Sequence, residues 1–258
     1  MIFEKYIGID YSGAQTPEAS LPGLRVYESH AASLPVEVPP PPSPRKYWAR
    51  KEVAQWLLDQ VNKPQRVVVG IDHGFSFPLR YFERYGLPLD WEVFLRDFRE
   101  HWPTHEDHTY VSSVRDGNSG KGAARSGDSR WRRLTDIRVR AKSVFHFGVP
   151  GSVASSTHAG LPWLLHIREK ARKPVHFWPF DGWAIPAGAS VIAEAYPALC
   201  SGNYARDGRT SDQHDAYSLA AWLREVDQAE SLVEYFAPNL SPEEREIADI
   251  EGWILGAR

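Results

Sequence analysis

Apolar positions fall into short runs and helical stripes through most of the chain. Tyr6-Ile7-Gly8-Ile9, closed by Asp10, predicts a buried strand over 4–10. Residues 24–29 alternate and predict a second strand, and Pro22-Gly23 leaves a connection short enough for an antiparallel return. Val36-Glu37-Val38 adds a brief third strand. It is stopped by Pro39 to Pro42, whose missing N–H groups confine that run to an edge or a surface loop. Val53, Trp56, Leu57 and Val61 share one face at helical spacing and predict a helix over 49–61, ended by Pro64 before a strand over 66–72. Further on, the spacing predicts helices over 90–101 and 161–172, an apolar run Val175-His176-Phe177-Trp178, and a strand over 190–196 broken by Pro197. Ala216, Leu219, Ala220 and Leu223 stripe a helix over 211–225, and Ser241-Pro242-Glu243-Glu244 opens a last helix over 241–255.

Composition narrows the class. The chain has 258 residues, 42% of them hydrophobic, enough for one large α/β domain or two small ones. Its 30 basic and 33 acidic residues leave a formal charge of −3, so any nucleic-acid contact has to come from a local patch. The lone Cys200 excludes an internal disulfide and a Cys-based zinc site and suits a reducing cytoplasm, the expected location. Glu4 and Lys5 interrupt the only apolar start, so no signal peptide is read. No run approaches the ~20 apolar residues of a membrane span, and no membrane partner is expected.

Carboxylates stand at four chemically suggestive places. Asp10 and Asp72 each end a strand in Gly-Ile-Asp, and if those strands are parallel neighbours the two side chains repel each other until a cation bridges them. Glu194 lies inside the apolar run 190–196, where an unpaired charge is costly. Asp212 and Asp215, three apart, face one side of the helix over 211–225. Hard oxygen ligands of this kind suit Mg²⁺ or Mn²⁺, and two such ions about 4 Å apart can activate water and stabilise a leaving oxygen. Each residue also has a plain alternative: a strand-terminal Asp can cap a turn, and Thr210 with Gln213 makes Asp212 an ordinary first-turn acid.

The order strand–strand–strand–helix–strand, with Asp on the first strand and on the strand after the helix, resembles a ribonuclease H-like fold. More closely, the chain resembles domain of unknown function 429, a family of predicted nucleases. The matching stretches are Tyr6-Ile7-Gly8-Ile9-Asp10, Val69-Gly70-Ile71-Asp72 with the loop to Pro78, Glu194-Ala195-Tyr196-Pro197-Ala198, and Asp212-Gln213-His214-Asp215-Ala216. They cover about a third of the chain. The resemblance implies a mixed β-sheet flanked by helices in one domain over 1–258, with a large insertion at about 79–188. It also implies Asp10, Asp72 and Asp215 as metal ligands, with Glu194 and Asp212 completing the catalytic set. One departure stands out. Such nucleases often place a catalytic Glu on the helix after the third strand, where this chain offers only Glu52 and Asp59.

Between Arg115 and Lys142 lie nine basic residues against three acidic ones, a local balance of +6 that leaves the remainder at −9. With Trp131 among them, Lys121, Arg125, Arg130, Arg132, Arg133 and Arg138 are candidates to grip a nucleic-acid backbone, on a glycine-rich arm able to close over it. The same arginines could instead pair with the acidic remainder. His73 and His214 adjoin proposed ligands and read first as structural groups, second as proton shuttles. The expected function is Mg²⁺- or Mn²⁺-dependent hydrolysis of phosphodiester bonds in nucleic acid. The alternatives are a non-catalytic nucleic-acid- or metal-binding protein and, further off, a phosphotransferase or ATPase of the related actin-like fold, which would need a second, duplicated domain.

Overall fold

The computed structural model describes residues 2–42 and 45–258. Residues 1, 43 and 44 of the expected domain lie outside the described residues. In chain order the strands are β1 (Lys5–Asp10), β2 (Arg25–His30), β3 (Val36–Glu37), β4 (Val67–Asp72), β5 (Val175–Trp178) and β6 (Ser190–Glu194). The helices are α1 (Arg50–Val61), α2 (Leu79–Tyr85), α3 (Trp91–His101), α4 (Val111–Arg115), α5 (Leu134–Arg138), α6 (Ala154–Lys170), α7 (Ser211–Gln228), α8 (Leu232–Tyr235) and α9 (Pro242–Glu251).

The strands form one mixed sheet in the order β3-β2-β1-β4-β6-β5. β1, β2 and β3 pair antiparallel, whereas β1–β4, β4–β6 and β6–β5 are parallel. β4 and β6 are buried on both faces, which their continuous Val/Ile/Ala runs permit. On one side Ile7, Ile9, Val69 and Ile71 pack with α1, α3 and α6; on the other, Tyr6, Val68 and Val191 pack with Leu223 of α7, Trp178 and Trp253. Residues 79–188 supply α2 to α6 and the edge strand β5, and their Phe82, Phe94, Phe98 and Leu165 belong to the first of these clusters.

Helix α7 lies across β1 and β2. The contact is possible because position 8 is glycine: a Cβ there would fall 2.2 Å from the Ala216 carbonyl oxygen and 2.6 Å from the Ala220 nitrogen. Gly8, Ala216 and Ala220 therefore let helix backbone rest on strand backbone, which carries the first turns of α7 to the C-terminal end of β1.

Several boundaries move from their expected places. The helix expected over 161–172 begins at Ala154 and runs through Pro162. A proline inside a helix deprives the carbonyl four residues earlier of its partner. Here that carbonyl, of His158, accepts from the Thr104 hydroxyl at 2.6 Å. The last helix stops at Glu251, before Gly252 at φ +79°, and the strand over 190–196 ends at Glu194. The short helices α2, α4, α5 and α8 have too few turns to show a period in the sequence.

Candidate active site

Asp10 and Asp72 face each other in parallel register at the C-terminal ends of β1 and β4. On its other side Asp10 is paired with Arg25 of β2, whose guanidinium is 2.9 Å from Glu37 of β3. Glu37 also accepts from Gln213 at 2.7 Å, so β3 ties the first turn of α7 to this end of the sheet. The α7 start is a capping box in which Thr210 accepts from Gln213 N–H and Gln213 accepts from Thr210 N–H. Asp212 is free of that box. Its Oδ2 lies 3.5 Å, and the Ser12 hydroxyl 3.6 Å, from the point a Cβ on Gly23 would occupy.

The charges of these groups act on one another. Burial, and after it the charges of Asp72, Asp212 and Asp215, push the Asp10 carboxyl up to about 9, against the pull of Arg25. Burial, Asp215 and Glu194 push Asp72 up to about 8. Asp215 is also raised, chiefly by burial, while His214 and Arg206 oppose the rise. Strand ends and helix start thus bring Asp10, Asp72, Asp212 and Asp215 into one field. The donor set is hard oxygen, the chemistry Mg²⁺ and Mn²⁺ take. Among the described residues, however, no three His, Cys, Asp or Glu side chains stand together so that they could hold a metal ion.

Glu194 is engaged differently. Its two oxygens accept from Arg133 at 2.6 Å each, and Oε2 also accepts from the Phe75 N–H at 2.9 Å. Arg133 in turn reaches Asp136 at 2.8 Å. Glu251 accepts from the N–H groups of Leu79 and Leu134 at 2.7 and 2.6 Å. This buried network fixes the loop that leaves Asp72. It also corrects one expectation: Arg133, expected to grip a nucleic-acid backbone, is 1% exposed and donates to Glu194, Asp136 and the Glu251 carbonyl. Neither Glu52 nor Asp59 joins the acidic group. Glu52 accepts from Ala49 N–H at the start of its own helix, and the exposed Asp59 accepts from Gln55.

His73 is buried, hydrogen-bonds the Gly74 carbonyl and packs edge-on against Tyr11. Burial holds it down at about 4, so it stays neutral and structural. His214 Nε2 is 3.1 Å from the Ser201 carbonyl. The other basic candidates separate. Arg125 pairs with Asp97, Arg130 with Asp128, Arg138 with Glu244 and Lys121 with Glu100. Among the described residues Trp131 and Arg132 meet no carboxylate at ion-pair distance, and Arg132 donates to the Asp136 carbonyl.

Arg50, Lys142 and Tyr196 are not among the expected site residues. Arg50, buried at the start of α1, donates to the carbonyls of Ser12, Ala14 and Gln15 and so holds the loop after Asp10; no local pattern marks it. Lys142 and Tyr196 line a narrow cleft of about 20 Å³ beside Asp72, with Arg133, Asp136 and Glu194. Tyr196 stood within the Glu-Ala-Tyr-Pro motif, which was the available signal. A larger cavity, about 750 Å³, lies at the opposite end of the sheet, where β5 and β6 begin, away from the acidic group. No protein-family model, no curated protein and no solved structure matches the chain.

Proposed function

We propose that this chain is a divalent-cation-dependent phosphodiesterase acting on nucleic acid, built on a ribonuclease H-like arrangement, as its resemblance to the predicted nucleases of domain of unknown function 429 suggests. The observation that carries the reading is the in-register pair Asp10 and Asp72, half-buried side by side and crowded by the acids of α7. Arg25, the one cation that eases Asp10, is itself engaged by Glu37, so the pair calls for a positive charge from outside. The antiparallel β1–β3 followed by a helix and a parallel β4 supports the fold assignment.

Asp10, Asp72 and Asp215 would hold Mg²⁺ or Mn²⁺, with Asp212 at the margin. One or two carboxylates with waters and substrate oxygens suffice for Mg²⁺, so a closed three-residue cage is not required. Bound there, the ion would supply Lewis-acid activation of a water and charge stabilisation at the leaving oxygen. The chain's own part is orientation. Arg25 and Arg50 hold the backbone around Asp10; Glu194, through Phe75 N–H, holds the loop after Asp72; Gly8 seats α7 so that its acids face the strand ends.

One observation favours the non-catalytic alternative: no three ligands converge among the described residues. The phosphotransferase alternative has less support, since the described residues form one sheet and not a duplicated pair. Incubating the protein with Mg²⁺ or Mn²⁺ and labelled single-stranded and duplex oligonucleotides separates these readings. The proposal expects cleavage that EDTA stops and that falls at least ~100-fold in Asp10→Asn and in Asp72→Asn, equivalent to about 3 kcal/mol of lost barrier reduction. Cation binding that raises Tm without turnover identifies the non-catalytic protein. Cleavage unchanged in both variants removes the proposed site.

A further inference from the structure

Among the described residues the ion-pair pattern leaves one cation of those that sequence clustering selected, Arg132, without a carboxylate, and Arg80, Arg140 and Lys142 join it. Arg80 of α2 lies with its guanidinium 5.3 Å from the centre of the Trp131 ring. Trp131 is half-buried, its edge against Phe145, and the Ser143 hydroxyl donates to its carbonyl oxygen, fixing the indole next to the 140–143 segment. Arg132 and the Ala141 N–H both donate to the Asp136 carbonyl, at 2.7 and 2.9 Å, so Arg132 and Lys142 leave the same turn. Lys142, whose ammonium donates to the Pro150 carbonyl, lines the cleft that holds Asp72. Arg140, between them, is exposed and held at φ +58°, a backbone conformation seldom adopted outside glycine. Arg80, Arg132, Arg140 and Lys142 are all exposed, and among the described residues none of them meets a carboxylate at ion-pair distance.

We propose that Arg80, Trp131, Arg132, Arg140 and Lys142 form a docking strip for unpaired nucleic acid leading to the Asp72 cleft. The strip deepens the nuclease reading and rests on it for its purpose, although its own test needs no turnover. The stacked Arg80–Trp131 pair presents a flat, polarisable platform, and a base can stack on such a platform only when its face is free. Cations with no carboxylate at ion-pair distance among the described residues can track a phosphate backbone, whereas the paired Arg125, Arg130 and Arg138 first have to give up their carboxylates. A duplex offers its phosphates to the cations but hides its base faces from the indole. The strip therefore selects single strands.

The test is fluorescence anisotropy with a labelled oligo-dT of about twelve nucleotides and a hairpin duplex of similar length, in EDTA, across about 50 to 200 mM salt. The expected result is single-strand binding at least ~10-fold tighter than duplex binding. Arg80→Ala and Trp131→Ala should each weaken it several-fold to ~100-fold, the range of one base stack. Trp131→Phe, which keeps a ring against Phe145, should recover most of the affinity and guards against a folding defect. Arg132→Ala with Lys142→Ala should reduce the slope of log affinity against log salt by about 1.4, two phosphate contacts on a single strand. Equal affinity for duplex, an unchanged affinity in both Arg80→Ala and Trp131→Ala, or no oligo-dT binding overturns the strip. Binding of the expected kind without Mg²⁺- or Mn²⁺-dependent cleavage ends the nuclease reading alone, and cleavage with duplex preference ends the strip alone.

Discussion

A carboxylic acid held half-buried beside another acid keeps its proton at pH values where an exposed aspartate has lost it. Asp10 and Asp72 are both shifted upward, so the folded chain binds more protons than the unfolded chain from about pH 4 to about pH 9. Stability without added cation should therefore fall as pH rises through that window. Thermal unfolding in EDTA at about pH 6 and about pH 9 checks the sign; Asp72→Asn should flatten the dependence, and Mn²⁺ should restore Tm most at the alkaline end. Arg133 behaves in the opposite sense, because it is the cation on which buried Glu194 and Asp136 depend. Arg133→Met strands those carboxylates and should cost about 3–5 kcal/mol in denaturant unfolding. The repeated Gly-Ile-Asp made the first pair legible in the sequence. Glu194 was also conspicuous, as an acid inside an apolar strand. Its partner was not, since Arg133 sits 61 positions earlier in a segment whose composition suggests a solvated arm.

Long elements with a clear period were legible within a residue or two, as β1, β4, α1, α3 and the start of α7 show. Those that escaped are short, or depend on a distant side chain. Nothing near Pro162 reveals that Thr104 satisfies the carbonyl it orphans, so the helix was expected to start where its proline and first apolar residues stand. The seat of α7 on β1 is likewise a tertiary fact, and Gly8 carries it. Gly8→Ala puts a methyl within 2.2 Å of a backbone oxygen. Overpacking of this kind costs about 1–3 kcal/mol, and it should lift Asp212 and Asp215 away from the strand ends. Chemical denaturation measures the first effect, and weakened Mn²⁺ binding at a temperature where the variant is still folded measures the second.

Across the whole molecule, charge is sorted more finely than composition suggests. The basic excess of residues 115–142 goes largely into internal pairs with Asp97, Asp128, Asp136, Glu194 and Glu244. The acidic strand ends, by contrast, are left short of positive charge at the edge where open parallel sheets bind their ligands. Among the described residues no helix is long and apolar enough to cross a membrane. The sheet order and its parallel centre account for the geometry of the acidic group; the cation that would complete it is the step to be measured. Mn²⁺ titration followed by electron paramagnetic resonance counts bound ions directly. The account predicts a saturable site in the wild type that Asp10→Asn and Asp72→Asn each lose while remaining folded. Mn²⁺ held with the same stoichiometry and affinity by both variants contradicts it.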